Sequence, residues 1–347
     1  MWSDPAQIIV SCLPGEPRMS LARPWRIALS CVLALAAASC SALGGDTEKP
    51  NQTGGLEQTK VVVGTLPIVD TVPLAIAQQK GYFTQEGLDV ELKSLPGGAA
   101  AVPGLANGEL QFAFGNYVSF FTAQYKNVLD IKLVADAYQA AQGMFLILTG
   151  KDNAITKPAD LAGKKIAINT KANIVELTAR SALEANGVDI KTVTFTEIPF
   201  PDMQAAIERK NVDAAFMVEP YITQAQRKAG MLPVLDAATG ATLDVPIAVW
   251  ATSAKYAQEN PKTTAAFQRA IVKGQRDAAN RSLVEQTVTS YAKVDKDTVS
   301  LMRLGTWPTA MSPVRMQRVI DLMTQYGLME KAKQINPESM IFNPPRG

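Results

Sequence analysis

Short, apolar, β-branched runs alternate with helix-patterned stretches over most of this chain, and that alternation restricts the fold more than any other feature. The run 61–65 is followed by a helical stretch over 72–79 that stops at Lys80-Gly81, then by the alternating strand pattern Leu88-Asp89-Val90-Glu91-Leu92. A buried run, a helix closed by glycine and a second strand, in that order, form a βαβ unit. Further strand patterns fall at 110–114 and 131–135, with a helix over about 118–126 between them. The continuous apolar run 144–149 has the character of a central strand or of a strand crossing between halves. The series then repeats, with strands at 165–168, 192–196 and 214–217 and helices over 173–186, over 201–210 and after Pro220. A second apolar run covers 246–252, and beyond 254 the pattern is mostly helical. Two βαβαβ series, a returning strand and terminal helices predict an α/β protein with two parallel-sheet lobes. Ligands of such folds bind beyond the carboxyl ends of the strands, where the halves meet.

The chain ahead of this body reads as an address. Residues 18–26 supply a basic start, 27–38 an apolar run of 12 residues, and Ser39-Cys40 follow. That order describes a secretory signal peptide, and the run is shorter than the roughly 20 residues of a membrane span. Met19 reads as the initiator, because 1–18 has no signal character and holds Pro5, Pro14 and Pro17. Ala37-Ala38-Ser39-Cys40 resembles a bacterial lipobox, with Ala37 where leucine is usual. The expectation is a signal peptide over 1–39, a lipidated Cys40, and a flexible Gly/Thr/Pro/Asn linker completing 40–59. All three cysteines lie within the first 40 residues, so the mature chain would keep one and form no disulfide.

Composition removes much of enzymology. The chain contains no histidine, which excludes Ser-His-Asp and Cys-His nucleophiles, HExxH zinc sites and histidine-carboxylate iron sites. With 34 basic and 32 acidic residues the net charge is +2, so there is no electrostatic case for a nucleic-acid partner.

Five stretches carry a family resemblance. Gly81-Tyr82-Phe83-Thr84-Gln85-Glu86-Gly87-Leu88-Asp89-Val90-Glu91 resembles the GYF-acidic-GLDVE segment of bacterial solute-binding proteins of ABC importers. The branch it resembles serves sulfonates, taurine, nitrate and thiamine-pyrimidine precursors. Leu105 to Ala113 resembles that branch's LxxGxxDxA turn, with Gln111 at the usual Asp, a departure that reads as structural. Asp160 to Ala167 resembles DLKGKKVAV, Leu183 to Val188 the LxxxGL helix end, and Val212 to Tyr221 the VDAAxxxEPY segment. The resemblance implies the type II periplasmic-binding-protein fold, in which a two-strand hinge joins the lobes. Lobe one would be 60–146 plus 247–347, and lobe two 147–246, with crossings near 146–149 and 245–250. It also implies a monomer without cofactor, metal or catalytic residues, held to the membrane by its lipid anchor. Such a protein closes around a small solute and presents it to ABC permease subunits.

Candidate ligand contacts follow from the strand ends. The loop after the first strand offers Pro67, Asp70 and Thr71, the last two also as plain helix caps. Gly97, Gly98 and Ala99 open a helix whose free N–H groups suit an anion or polar group. Asn116 and Tyr117 follow a strand end, where an amide and an aromatic face can orient a ligand. Thr170, Lys171 and Asn173 form the matching junction of lobe two, able to cap a helix or to grip a carboxylate, sulfonate or phosphate. Glu219 and Tyr221 end another strand, Glu219 serving architecture more readily than selectivity. Tyr138 and Trp250 offer aromatic walls or core. No arginine occurs in these loops, which favours a monoanion, zwitterion or neutral heterocycle over a dianion. Two other readings stay open: a sensory or surface-binding module on this scaffold, and a hydrolase using two facing acids such as Asp70 and Glu219.

Overall fold

The computed structural model describes residues 55–333 and 335–345; the signal segment, Cys40 and most of the expected linker lie outside the described residues. Strand β1 (Lys60–Thr65) leads through a 3-10 turn at Val69–Thr71 into helix α1 (Val72–Gln79), whose first turn holds Pro73, where no N–H is needed. Gly81, at φ 68°, turns the chain from α1 into the single-turn helix α2 (Tyr82–Gln85), a left-handed conformation that favours glycine. The first series continues with β2 (Asp89–Ser94), α3 (Ala101–Asn107), β3 (Phe112–Asn116), α4 (Tyr117–Tyr125) and β4 (Ile131–Gln139).

The second series comprises β5 (Leu146–Thr149), β6 (Lys165–Ile168), α5 (Ile174–Ala185), β7 (Thr194–Glu197), α6 (Met203–Glu208), β8 (Ala214–Met217), α7 (Tyr221–Ala229) and β9 (Leu232–Asp236). The chain returns in β10 (Pro246–Ser253) and finishes with α8 (Ala254–Glu259), α9 (Pro261–Asp277), α10 (Arg281–Tyr291), α11 (Lys296–Leu301) and α12 (Pro313–Gln325).

Two five-stranded sheets result, ordered β2-β1-β3-β10-β4 and β7-β6-β8-β5-β9. The expected parallel sheets are in fact mixed. Strands β1, β2 and β3 are mutually parallel, as are β6, β7 and β8, while β10 and β5 run antiparallel to both neighbours. The reason lies in where the chain crosses. Strand β4 ends at Gln139 opposite Pro246, and β10 starts beside Asn116, the carboxyl end of β3. Strand β9 ends at Asp236 opposite Leu146, and β5 starts beside Met217, the carboxyl end of β8. A chain that enters a sheet at its carboxyl edge can only run back down it. The crossings themselves are 140–145 and 237–245, just ahead of the two apolar runs, which are interior strands. All eight residues of β10 are buried, which explains its unbroken apolar character.

Matching side chains tie the start of a central strand to its neighbour in each sheet. Gln111 Oε1 accepts the Val62 N–H at 2.7 Å, and Asp213 Oδ2 accepts the Lys165 N–H at 2.8 Å. Gln111 thus has the structural role expected of it. Aromatic packing seats the terminal helices on the first sheet: Phe267 of α9 stacks on Phe112 at 4.0 Å and meets Trp250 edge-on at 5.9 Å.

The structure departs from the sequence expectation in two further places. Strand β9 was not anticipated, since Pro233 and its exposed residues break the pattern; proline is tolerated because β9 is an edge strand. Residues 57–58, expected in the flexible linker, are held. Asn260 provides no side-chain cap for α9, and Glu57 instead accepts the Lys262 and Thr263 N–H groups at 3.1 and 2.9 Å. Those first-turn donors would otherwise lack partners.

Candidate functional site

Both lobes place an asparagine-capped helix at the carboxyl edge of the sheet. Asn116 ends β3 and accepts the Ser119 N–H at 2.9 Å, capping α4. Asn173 accepts the Glu176 N–H at 3.0 Å, capping α5, and donates from Nδ2 to Asn169 and Thr170 at 2.8 and 2.9 Å. Caps of this kind contribute about 1 kcal/mol each. Asn116 does a second job: its Oδ1 also accepts the N–H of Ile174, the first residue of α5 in the other lobe, at 3.1 Å.

Further hydrogen bonds join the lobes around this point. Val69 N–H donates to Glu219 O at 3.2 Å, Tyr221 OH to Pro67 O at 3.1 Å, and Asn169 Nδ2 to Pro96 O at 3.5 Å. The two carboxyl edges therefore face one another in a closed arrangement. Between them lies a cavity of about 30 Å³ lined by sixteen residues from both lobes. Ten are apolar, among them Ile68, Phe114, Phe145, Phe200 and Ile247; four are polar, namely Asp70, Asn116, Asn169 and Asn173. Leu66, Ile68 and Phe200 are shared with an adjoining groove of about 190 Å³, whose walls include Pro67, Pro96, Pro199, Pro201 and Tyr221. Phe200 and Tyr221 stand nearly parallel, 6.2 Å apart at 16°.

Among the described residues, Asp70 is the one charged residue on the cavity wall. It is buried, and its carboxylate hydrogen-bonds only to its own backbone amide, so burial pushes its pKa up to about 7. Trp307 holds the segment by donating from Nε1 to Asp70 O at 3.1 Å. Neither Asp70 nor Thr71 caps the helix behind it through its side chain. The Thr71 hydroxyl instead turns back to the carbonyls of Leu66 and Ile68 at 2.8 and 2.9 Å.

The sequence-derived candidates separate into three groups. Asp70, Gly98, Asn116 and Asn173 line the cavity, and Pro67 and Tyr221 line the groove beside it. Gly97 and Thr170 meet across the lobes, where a Cβ on Gly97 would come within 2.6 Å of Thr170 Cγ2. The remaining candidates lie elsewhere. Ala99 lies in the 3-10 turn ahead of α3, and Lys171 is exposed with its N–H donating to Glu197 at 2.8 Å. Tyr117 is fully buried with its hydroxyl on Asp136 at 3.0 Å, and Trp250 is core. Tyr138 packs on Trp307 and accepts the Gly305 N–H at 2.8 Å. These aromatics fill the body of lobe one: Tyr138 and Trp250 lie on strands covered by helices, and Tyr117 begins the helix α4 that packs there.

Glu219 is buried off the cavity wall. Its carboxylate accepts from Thr223 Oγ1 at 2.8 Å, Thr223 N–H at 3.2 Å and Arg303 N–H at 3.3 Å. Burial raises its pKa, and those hydrogen bonds pull the other way. Asp70 and Glu219 therefore do not face each other across the cavity. The expected anion grip at α5 is also occupied. The amides of Lys171, Ala172, Ile174 and Glu176 donate to Glu197, Glu176, Asn116 and Asn173.

Phe200 is a wall residue that the sequence reading missed, and Asn169 opens the lobe-two junction already singled out through Thr170, Lys171 and Asn173. Asn169 directly follows a strand, and Phe200 sits between two prolines just after one, positions that signal a strand-end loop at the cleft.

Comparison with known proteins agrees with this fold. Over 241 residues the chain is 25% identical to the nitrate/nitrite binding protein NrtA of Nostoc sp. PCC 7120, covering 64% of this chain and 54% of that protein. It is 28% identical over 150 residues to a putative aliphatic sulfonates-binding protein of Escherichia coli K12, covering 43% and 44%. It is 23% identical over 270 residues to the formylaminopyrimidine-binding protein of Halalkalibacterium halodurans, covering 74% and 80%. The matches thus span about half the length of the nitrate and sulfonate proteins. The alkanesulfonate-binding protein SsuA from Xanthomonas axonopodis pv. citri, solved bound to MOPS, superposes with a TM-score of 0.69 at 16% identity, over 83% of this chain and 99% of that one. The nitrate-binding NrtA of Synechocystis PCC 6803 gives 0.68 at 16% identity, over 83% and 88%. These two establish a shared fold. The NMT1/THI5-like family model matches residues 69–282, more than half of the chain and both halves of the cleft, and the protein belongs to that family.

Proposed function

We propose that this protein is the extracytoplasmic solute receptor of an ABC importer, tethered to the outer face of the cytoplasmic membrane through Cys40. It captures a small organic solute by closing two lobes and hands it to the membrane permease. The observation that carries this reading is the cavity between the facing carboxyl edges, bridged by hydrogen bonds that exist only while the lobes touch. Each of these hydrogen bonds contributes only about 1 kcal/mol, so the contact can be made and broken. The solutes named for the relatives are nitrate or nitrite, sulfonates and a pyrimidine. Of these, a compact heterocycle suits the apolar walls and the nearly parallel rings of Phe200 and Tyr221 best.

The test is a thermal-shift panel on the purified full-length chain, using nitrate, methanesulfonate, taurine, amino acids and aminopyrimidines. A ligand that binds only the native state raises the melting temperature in proportion to its saturation. Stabilisation by at least one member, without turnover of that compound, supports the receptor reading; turnover would overturn it in favour of an enzyme.

A further inference from the structure

We infer that Asp70 is the specificity-determining residue of this cleft, and that the solute presents a hydrogen-bond-donating nitrogen to it rather than an oxyanion. The inference rests on the receptor reading and narrows its ligand.

Among the described residues lining the cavity, every polar side chain except Asp70 has its acceptors engaged. Asn116 Oδ1 holds two amides, Asn173 Oδ1 holds the Glu176 amide, and Asn169 Oδ1 accepts from Asn173. The Asp70 carboxylate accepts nothing from any other residue. Among the described residues, no lysine or arginine lines the cavity or the adjoining groove. The titratable groups nearest this site do not neutralise Asp70. Tyr138 is acidic, with its ionisation suppressed by burial and by Asp70; Glu219 is a second acid, spent on Thr223 and the Arg303 amide, and it is Glu219 that the Arg303 charge acts on.

Above about pH 7 a nitrate or sulfonate entering here would meet the Asp70 carboxylate with no lysine or arginine on the cavity wall, and like charges repel. A protonated amine, an amidine or an aminopyrimidine reverses that sign and supplies the donors that the carboxylate lacks. A hydrogen bond to a charged group in a closed site makes about a 10- to 100-fold difference in affinity. The carboxylate thus provides positive selection for a donor and exclusion of an oxyanion in one group.

The experiment titrates the full-length chain at about pH 8 with acetamidinium, 4-aminopyrimidine, nitrate and methanesulfonate at matched ionic strength, following melting temperature and heat. The same series is repeated on Asp70→Asn. The expected result is stabilisation by the nitrogen donors alone, with affinity falling about 10- to 100-fold in the variant. Binding of nitrate or methanesulfonate to the unsubstituted protein as tightly as either donor overturns the inference while leaving the receptor reading intact. So does retention of donor affinity within about two-fold in Asp70→Asn. That first comparison needs no variant, so a misfolded Asp70→Asn does not blunt it. If none of the four probes binds, and the wider panel also fails, the receptor reading falls and takes this inference with it.

Discussion

Replacing Asp70 by asparagine should stabilise the ligand-free protein, and increasingly so as the pH rises. Burial holds the Asp70 pKa at about 7, against an ordinary value of 3.8, because no cation or side-chain donor offsets the loss of water. The folded state therefore binds this proton more tightly than the unfolded chain does. The stability tied to Asp70 is fully present below about pH 3.8 and is lost as the pH climbs through about 7. That shift corresponds to a total on the order of 4 kcal/mol, of which about 2.5 kcal/mol is lost between pH 5 and pH 8. Asparagine has nearly the same shape and no charge to desolvate, so its folded state escapes the loss. Asp136, pushed up to about 6 by burial, and Glu219, also raised, contribute slopes of the same sign, but those are common to both proteins and cancel. Urea unfolding of both proteins at about pH 5 and pH 8 measures the difference directly. The expected result is a stability gap that moves in favour of Asp70→Asn by about 2.5 kcal/mol across that interval. A gap that stays constant to within about 0.5 kcal/mol would refute the assignment of Asp70 as a buried carboxylate without a partner.

Other consequences are open to equally direct tests. Gly97 has an extended backbone, so alanine brings no conformational strain there, but its Cβ would stand 2.6 and 2.7 Å from Thr170 Cγ2 and Oγ1 in the other lobe. Gly97→Ala should therefore weaken solute affinity by about ten-fold in calorimetry while leaving the melting temperature of the free protein nearly unchanged. Trp307→Phe removes the indole donor from the buried Asp70 carbonyl. It should cost about 1–3 kcal/mol in chemical unfolding, and a smaller loss would mean that water replaces the donor. Cys40→Ala should move the protein from the membrane to the soluble fraction and abolish incorporation of labelled palmitate; persistent labelling would place the lipid elsewhere.

Much of the scaffold is legible in sequence because local rules decide it. Val61-Val62-Val63, Leu146 to Leu148 and Ile166 to Ile168 are apolar on both sides of the strand, so their burial between helices is readable without a structure. Gly81 and Gly187 hold positive φ at helix ends, a conformation that few other residues adopt cheaply. Asn116 and Asn173 each precede a helical run, and the chemistry of capping puts both at strand-to-helix junctions. Strand β9 was hidden because an edge strand needs neither continuous apolarity nor every N–H.

The site is a different matter. Tyr117, Tyr138 and Trp250 follow or lie on strands just as a ligand-facing aromatic would, and only the packing of α4, α9 and the 303–307 segment shows them to be enclosed in lobe one. Lys171 looked like an anion partner beside a helix N-terminus until Glu197, Glu176 and Asn116 were seen to occupy the amides there. Glu176 is a local partner within α5, but Glu197 ends β7 and Asn116 lies in the other lobe, at separations that no local pattern reports. By itself the sequence determined the two-lobed α/β frame, the helix caps and the lack of imidazole chemistry, all consequences of residue type and near-neighbour spacing. The tertiary structure alone decided that one carboxylate, Asp70, faces the closed cavity without a partner, because the partner of a charge depends on which distant residues the fold brings within hydrogen-bonding distance.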